Sequence, residues 1–171
     1  MAGDETIADR FHRSVAGFGA VLGRVSDADW GRSTPCSDWD VRALVAHVVD
    51  EHRWVAPLLA GRTIADVAPE LDDDVLGSDA FAAWQRFSAE SAESVRQLDD
   101  VGRVVHLSFG DTPAREYLAQ LSLDHLVHGW DLAQAIGGDP EMDADVVAWA
   151  YGWFGPMEEL YRAGGVIGER A

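Results

Sequence analysis

Residues 121–135 read LSLDHLVHGWDLAQA. We expect the rest of the chain to be organised around two polar side chains in this stretch. Asp124 and His128 are four residues apart, so in a helix they lie one turn above the other on the same face. That face also carries three apolar residues, Leu121, Leu132 and Ala135. A carboxylate and an imidazole are costly to bury among apolar neighbours unless a partner satisfies them, and a metal ion is one such partner.

A second stretch, VRALVAHVVDEHRW at residues 41–54, supplies a third polar residue, His47. Its helical face is otherwise apolar, with Leu44, Val48, Val55 and Leu58. Two imidazoles and one carboxylate suit zinc, nickel or iron(II), and three protein ligands leave a coordination position open for reaction. The sequence therefore predicts a metal centre formed by His47, Asp124 and His128. Spacing alone leaves open the alternative that both histidines are satisfied core residues and that Asp124 is a cap or an ion-pair partner.

Three further polar residues belong to the same hypothesis. Glu51 lies one turn beyond His47 and is a candidate fourth ligand or proton-handling base. Asp131, three residues after His128, is expected to orient that imidazole, as metal-bound histidines usually require. His125 is an alternative ligand, although it points about 100° away from Asp124 around the helix.

The remaining histidines, the cysteine and the tryptophans are given less specific roles. Cys36 is expected to be a partly buried loop residue. Trp54 and Trp130 flank the predicted site and are expected to line its mouth as a substrate pocket. The other histidines are expected at the surface or at an edge of the fold: His12, His52 and His106.

Composition excludes several classes of function. The 171 residues suit one domain, and 30 acidic against 13 basic residues give a net charge of -17, which disfavours nucleic acid or an anionic membrane as partner. The chain has no lysine, which excludes Schiff-base chemistry and a phosphate-loop lysine. A single cysteine allows no intrachain disulfide, no signal peptide is visible, and no apolar run reaches the about 18 residues of a membrane span. The sequence thus predicts a soluble cytoplasmic protein.

Hydrophobic periodicity predicts five helices and almost no sheet. The helices cover residues 4–25, 40–60, 78–98, 112–136 and 143–162. Residues 103–109 alternate in polarity and predict a short strand or hairpin, with its turn at Gly110 and Asp111. The lengths and connections indicate one helical bundle with a longer crossover at residues 64–77, spanning 1–171 with a frayed tail at 164–171.

Local signals place the helix starts. Asp40 is expected to cap the second helix, with Trp39 packing on Leu44 as a hydrophobic staple. Thr112 and Pro113 together resemble a cap followed by a proline in the first turn of the fourth helix.

The segments TPCSDWDVRALVAHVVDEHRW (34–54) and LSLDHLVHGWDLAQA (121–135) resemble the two signature stretches of the DinB-like superfamily, in the metal-binding-domain branch of the mycothiol-dependent maleylpyruvate isomerases. The resemblance extends from the first helix to at least Phe154. It implies an all-α fold, an up-down four-helix bundle with a long crossover, to which this chain adds a C-terminal helix. It also implies a metal, usually zinc, held at positions that correspond to His47, Asp124 and His128. Asp124 stands where the isomerase itself has glutamate.

The same resemblance implies a function. Relatives bind a low-molecular-weight thiol, mycothiol in actinobacteria, at the open metal position, and a divalent metal lowers the pKa of a bound thiol. We therefore expect a thiol-dependent S-transferase or isomerase-like enzyme acting on an electrophilic substrate. Maleylpyruvate isomerase activity itself is not expected, because that enzyme has a C-terminal domain for which this chain has no room.

Two other classes of function stay open from the sequence. One is a non-catalytic metal-binding or regulatory module, and the other is a metal-free dimerisation unit. Residues 118–135 are apolar on nearly every face, which favours a homodimer in each case.

Overall fold

The computed structural model describes residues 5–71, 73–140 and 142–163 of the chain. In these residues the helices are α1 Ile7–Leu22, α2 Val41–Leu59, α3 Ile64–Val67, α4 Ala80–Arg96, α5 Ala114–Ile136, α6 Ala144–Phe154 and α7 Glu158–Ala163. Single turns of 3-10 helix follow α3 and α6, at Ala68–Glu70 and Gly155–Met157. The strands β1 Val104–Leu107 and β2 Gly110–Pro113 pair as an antiparallel hairpin.

Four long helices, α1, α2, α4 and α5, form the bundle. α1 packs along α5, α2 packs along α4, and contacts between α2 and α5 join the two pairs. The long crossover lies between α2 and α4 and contains the single turn α3. The predicted all-α bundle with an added C-terminal helical segment and a short hairpin is confirmed. No helix in the described ranges has the length and apolar character needed to cross a membrane.

The buried apolar residues form two clusters stacked along the bundle axis. One lies around the first half of α2 and the end of α5, with Phe18, Leu44, Val48, Trp84 and Leu132 among its members. The other lies around the second half of α2 and the start of α5, with Phe11, Val55, Leu58 and Leu118 among its members.

A layer of buried polar side chains lies between the two clusters, and it corrects one prediction. His52 is 2% exposed, not a surface residue. Its ring stacks on His125 at a centroid distance of 4.9 Å, and its Nδ1 lies 2.6 Å from Oγ of Ser91. Nδ1 of His125 in turn lies 3.0 Å from Oγ of Ser14. Each imidazole can be buried because a serine hydroxyl satisfies one of its nitrogens.

The predicted cap holds for α2. Asp40 is its N-cap and accepts a hydrogen bond from the Ala43 amide at 2.8 Å. Trp39 packs against the cluster that contains Leu44. Beyond the C-cap, Gly61 has a φ of 87°, a left-handed conformation that favours glycine.

Three predicted boundaries are wrong. Thr112 does not cap α5, because it lies in β2 paired with Val105, and Pro113 occupies the N-cap position. The hairpin turn lies at Ser108 and Phe109, two residues earlier than predicted, because Gly110 pairs with Leu107. The last helix is split after Phe154, where Pro156 lacks the amide hydrogen that a continuous helix needs. The predicted fraying of 164–171 concerns residues outside the described ranges.

Candidate metal centre

His47, Asp124 and His128 converge where α2 crosses α5. Oδ2 of Asp124 lies 3.4 Å from Nε2 of His47, and Oδ1 lies 3.3 Å from Nε2 of His128. One ligand atom from each residue can be chosen so that all three lie within 4.8 Å of one another. The two imidazole rings are edge-on at a centroid distance of 5.1 Å. The helical spacing therefore brings the three residues together as expected, and their role as ligands stays a prediction.

The depth of the cluster suits a site that a small molecule can reach. The side chains of His47 and Asp124 are 30% and 29% exposed, whereas that of His128 is 12% exposed. Asp124 thus presents its carboxylate between two imidazoles near the surface of the bundle.

The charges in the cluster depend on one another. Burial raises the pKa of Asp124, but the neighbouring imidazoles of His128 and His47 outweigh burial and hold the pKa of the carboxyl well below its ordinary value. Burial by itself lowers the pKa of His128, but the carboxylates of Asp124 and Asp131 outweigh burial and raise this pKa to about 9. Without a metal, a proton on His128 therefore balances the Asp124 carboxylate near pH 7.

The residues fit a divalent transition metal. Oδ2 of Asp124 is buried and has no hydrogen-bond partner in the described residues, although Nε2 of His47 lies 3.4 Å away. Two imidazole nitrogens and one carboxylate oxygen are a donor set typical of zinc, nickel and iron(II). A cation at this position would satisfy the unpartnered oxygen.

Two acidic residues interact with the cluster, one by a direct contact and one through its charge. Oδ2 of Asp131 lies 3.2 Å from Nδ1 of His128, and this contact turns the other ring nitrogen toward Asp124. Glu51 lies one turn after His47, and burial, followed by the Asp124 carboxylate, raises its pKa. A carboxyl group that keeps a proton more readily is suited to proton transfer, and this role of Glu51 stays a prediction.

Sequence reasoning missed the aromatic wall of the centre. The indole of Trp39 lies 4.7 Å from the ring of His47 and 5.4 Å from the ring of His128, between centroids. Trp39 precedes α2 in a loop, where periodicity gives no side-chain direction. Its position just outside the N-cap of the helix that carries His47 was the available signal.

Two residues proposed for the site lie elsewhere. His125 contacts Ser14 and His52 in the buried polar layer, because it points around α5 from Asp124. Trp130 lines a groove between α5 and α6 and is 42% exposed, because it lies two residues beyond His128 on another side of the helix.

The remaining residues singled out from the sequence have ordinary contacts. The Trp54 indole donates to Oδ2 of Asp50 at 3.3 Å and packs on the second apolar cluster, so its place in a substrate pocket stays a prediction. Cys36 is a half-buried free thiol. His106 lies on the hairpin, 2.7 Å from Asp111. His12 is half-buried, and neither of its ring nitrogens has a hydrogen-bond partner.

One known protein family matches most of the chain. The family model for the mycothiol maleylpyruvate isomerase N-terminal domain matches residues 11–133. Uncharacterized proteins from two strains of Mycobacterium tuberculosis, MT0763 and Rv0738, are each 31% identical over 150 residues, which cover 85% of this chain and 78% of theirs.

The solved structures agree in fold. The crystal structure of the mycothiol-dependent maleylpyruvate isomerase superposes with a TM-score of 0.60 at 18% identity, over 74% of this chain and 59% of that one. A histidine-to-alanine mutant of that isomerase gives a TM-score of 0.61 over the same shares. This chain therefore spans less than two thirds of the length of the isomerase whose helical fold it shares.

Proposed function

The chain belongs to the mycothiol maleylpyruvate isomerase N-terminal domain family, and from that premise we propose that it is a metal- and thiol-dependent enzyme. The proposed reaction is an S-transferase or isomerase-like conversion of an electrophilic small molecule, with a low-molecular-weight thiol of the mycothiol type as cosubstrate. Mycothiol use and the mycobacterial relatives both fit an actinobacterial protein, and a single free cysteine fits a reducing cytoplasm.

The observation that carries the proposal is the convergence of His47, Asp124 and His128, with an unpartnered carboxylate oxygen at its centre. Three protein ligands leave room for a thiol, which a fully ligated structural site does not. When bound, a divalent cation, zinc in the first instance, supplies the charge that lowers the pKa of a thiol toward neutrality.

The protein groups then have separate tasks. Asp131 keeps the imidazole of His128 in the orientation needed for binding, and His128 must give up its proton. A thiol that gives its proton to solvent would, as the thiolate, form a carbon–sulfur bond with the substrate, and the electron pair of the attacked double bond would move onto the neighbouring atom of the substrate. We assign to Glu51 the delivery of the proton that this atom takes up, and its recovery when the carbon–sulfur bond breaks in an isomerisation, because the raised pKa of Glu51 favours a protonated carboxyl group.

The test is a thiol titration of cobalt-substituted protein. Adding mycothiol to the Co²⁺ form should change the visible spectrum of the metal and add a sulfur-to-cobalt charge-transfer band. His47→Ala, prepared in the same way, should show neither effect. A wild-type cobalt spectrum that stays constant through the titration would rule out the open thiol position.

A groove between α5 and α6 favours a homodimer, and the second candidate function is such a dimer acting as a non-catalytic metal-binding or regulatory module. The groove has a volume of about 300 Å³ and a nearly all-apolar lining, with Val127 47% and Trp130 42% exposed. This face is the part of the apolar α5 surface that the bundle leaves uncovered. Under either candidate, sedimentation should show a dimer that Trp130→Glu dissociates, whereas only the second candidate predicts a bound metal that does not bind added thiol.

A further inference from the structure

Trp39 occupies a distinctive position beside the proposed centre. Its indole contacts both imidazoles of the cluster, although these come from different helices, His47 from α2 and His128 from α5. Because the two imidazoles also contact each other edge-on, the three rings form a closed set. The Asp124 carboxylate completes the cluster by approaching both imidazoles at their Nε2 atoms.

The backbone of Trp39 is held in place without help from the cluster. The Trp39 amide donates to the carbonyl of Cys36 at 3.0 Å. Oγ1 of Thr34 lies 2.9 Å from the Trp39 carbonyl oxygen and 3.0 Å from the Cys36 carbonyl oxygen, which share its single proton, and the Thr34 amide donates to the Trp39 carbonyl. Asp40, the next residue, is the N-cap of α2. The backbone from which the indole projects is therefore fixed relative to the start of the helix that carries His47.

This arrangement limits the freedom of the two imidazoles before a ligand arrives. A ring packed against the indole cannot rotate without losing that contact, so the nitrogens stay directed toward the Asp124 carboxylate. Ligands that are already oriented lose less conformational entropy when a metal binds, and an apolar wall keeps water from that side of the site.

We propose that Trp39 is a positioning residue that holds His47 and His128 in the geometry that binds the metal and closes one side of the centre to water. This inference rests on the proposed function, since it assigns Trp39 a role at the same metal centre. Metal affinity then depends on Trp39 as well as on the three ligands.

The experiment compares Trp39→Ala with Trp30→Ala. Trp30 is a matched control, because it is also half-buried and packs on the same apolar cluster from the same loop. The dissociation constant for Co²⁺ is measured by competition with a chromophoric chelator, and the stability of each metal-free variant is measured by urea unfolding. We expect Trp39→Ala to weaken Co²⁺ binding about tenfold and Trp30→Ala to leave it within about twofold of wild type.

A second readout responds to proximity and not to stability. Cobalt quenches indole fluorescence at short range, so saturation with Co²⁺ should remove a smaller share of the emission from Trp39→Phe than from Trp30→Phe. If the alanine variants do not fold, the phenylalanine variants replace them in the affinity measurement. The loss of Co²⁺ affinity expected for Trp39→Phe is smaller than that for Trp39→Ala.

The outcomes separate the two proposals. Unchanged Co²⁺ affinity in folded Trp39 variants, with wild-type protein binding the metal, overturns the role of Trp39 alone. A wild-type protein that binds no Co²⁺ overturns the metal centre and this inference together. Equal losses in the Trp39 and Trp30 variants would assign both effects to general packing and would also overturn the specific role.

Discussion

Nδ1 of His128 lies 3.2 Å from Oδ2 of Asp131, one turn further along α5. The hydrogen bond leaves Nε2 of the same ring facing Asp124 at 3.3 Å. The two carboxylates thus set the orientation and the charge of one imidazole from both of its nitrogens. This carboxylate–histidine contact is the arrangement that metal-binding histidines commonly use.

Asp131→Asn should weaken metal binding by about 10- to 100-fold, because the imidazole of His128 loses the charged partner that fixes its orientation. The dissociation constant for Zn²⁺ or Co²⁺ measures the effect. Asp111→Asn is the matched control, since Asp111 makes a similar contact with His106 on the hairpin. An Asp131→Asn protein with the affinity of wild type would show that this contact does not support the centre.

Metal binding near pH 7 should release close to one proton per chain. The pKa of His128 is raised to about 9 in the metal-free protein, and a histidine must be unprotonated to bind a metal. Affinity should therefore rise as pH increases toward about 9 and then level off. Calorimetric titrations in two buffers of different ionisation enthalpy count the released protons. A count near zero would contradict a protonated His128 beside the Asp124 carboxylate in the metal-free protein.

The metal-free protein should be most stable near pH 6.5. Below that pH the unfolded chain protonates His125 and His52, whereas burial lowers the folded-state pKa of His125 to about 4 and that of His52 well below its ordinary value. Stability is therefore lost as pH falls from about 6.5 to about 4, by up to about 3 kcal/mol for His125 alone, since one pKa unit corresponds to about 1.4 kcal/mol.

Above about pH 6.5 the free energy of unfolding should fall as pH rises. Because the folded-state pKa of His128 is raised, its contribution is fully present below about pH 6.5 and is lost as pH rises through about 9. Urea unfolding in the presence of a chelator should show both slopes. His52→Gln, which keeps a side-chain amide for Ser91, should flatten the acidic slope, whereas His106→Gln should leave it unchanged. If the stability of His52→Gln fell with decreasing pH as steeply as that of wild type, His52 would not be buried in its neutral form.

Asp143→Ala should destabilise the fold by about 1 kcal/mol without affecting the metal. Asp143 is the N-cap of α6, accepts from the Val146 amide at 3.2 Å, and receives a hydrogen bond from Nε of Arg13 at 2.8 Å. Thermal or urea unfolding measures the loss, and Co²⁺ titration provides the comparison. A change in Co²⁺ affinity as large as that of Asp131→Asn would show that α6 is coupled to the centre.

Much of the fold could be predicted because the relevant signals are local. The apolar period of α1 and the Asp40 cap of α2 depend on neighbours within one or two turns. The boundaries that failed depend on distant partners. Threonine is a residue type that often caps helices, but Thr112 pairs with Val105 in the hairpin, and its backbone belongs to that strand instead. Local preference is weak where a tertiary hydrogen bond competes with it.

The ligand cluster could be predicted because its residues lie on regular helix faces. Asp124 and His128 share a face by their spacing, and His47 follows the buried Leu44 by three residues on α2. His52 follows the same stripe at helical spacing from Val48 and Val55, yet its burial requires Ser91 and His125, which no local pattern reveals. The orientation of a loop residue is likewise set by tertiary contacts, as Trp39 shows.

The most direct test of the account is the metal content of freshly purified protein, measured by elemental analysis for wild type, His47→Ala and the control His106→Ala. We expect about one divalent metal ion per chain in wild type and in His106→Ala, and almost none in folded His47→Ala. A full equivalent of metal retained by His47→Ala, or a wild-type protein that takes up no metal on addition of Zn²⁺, would contradict the centre.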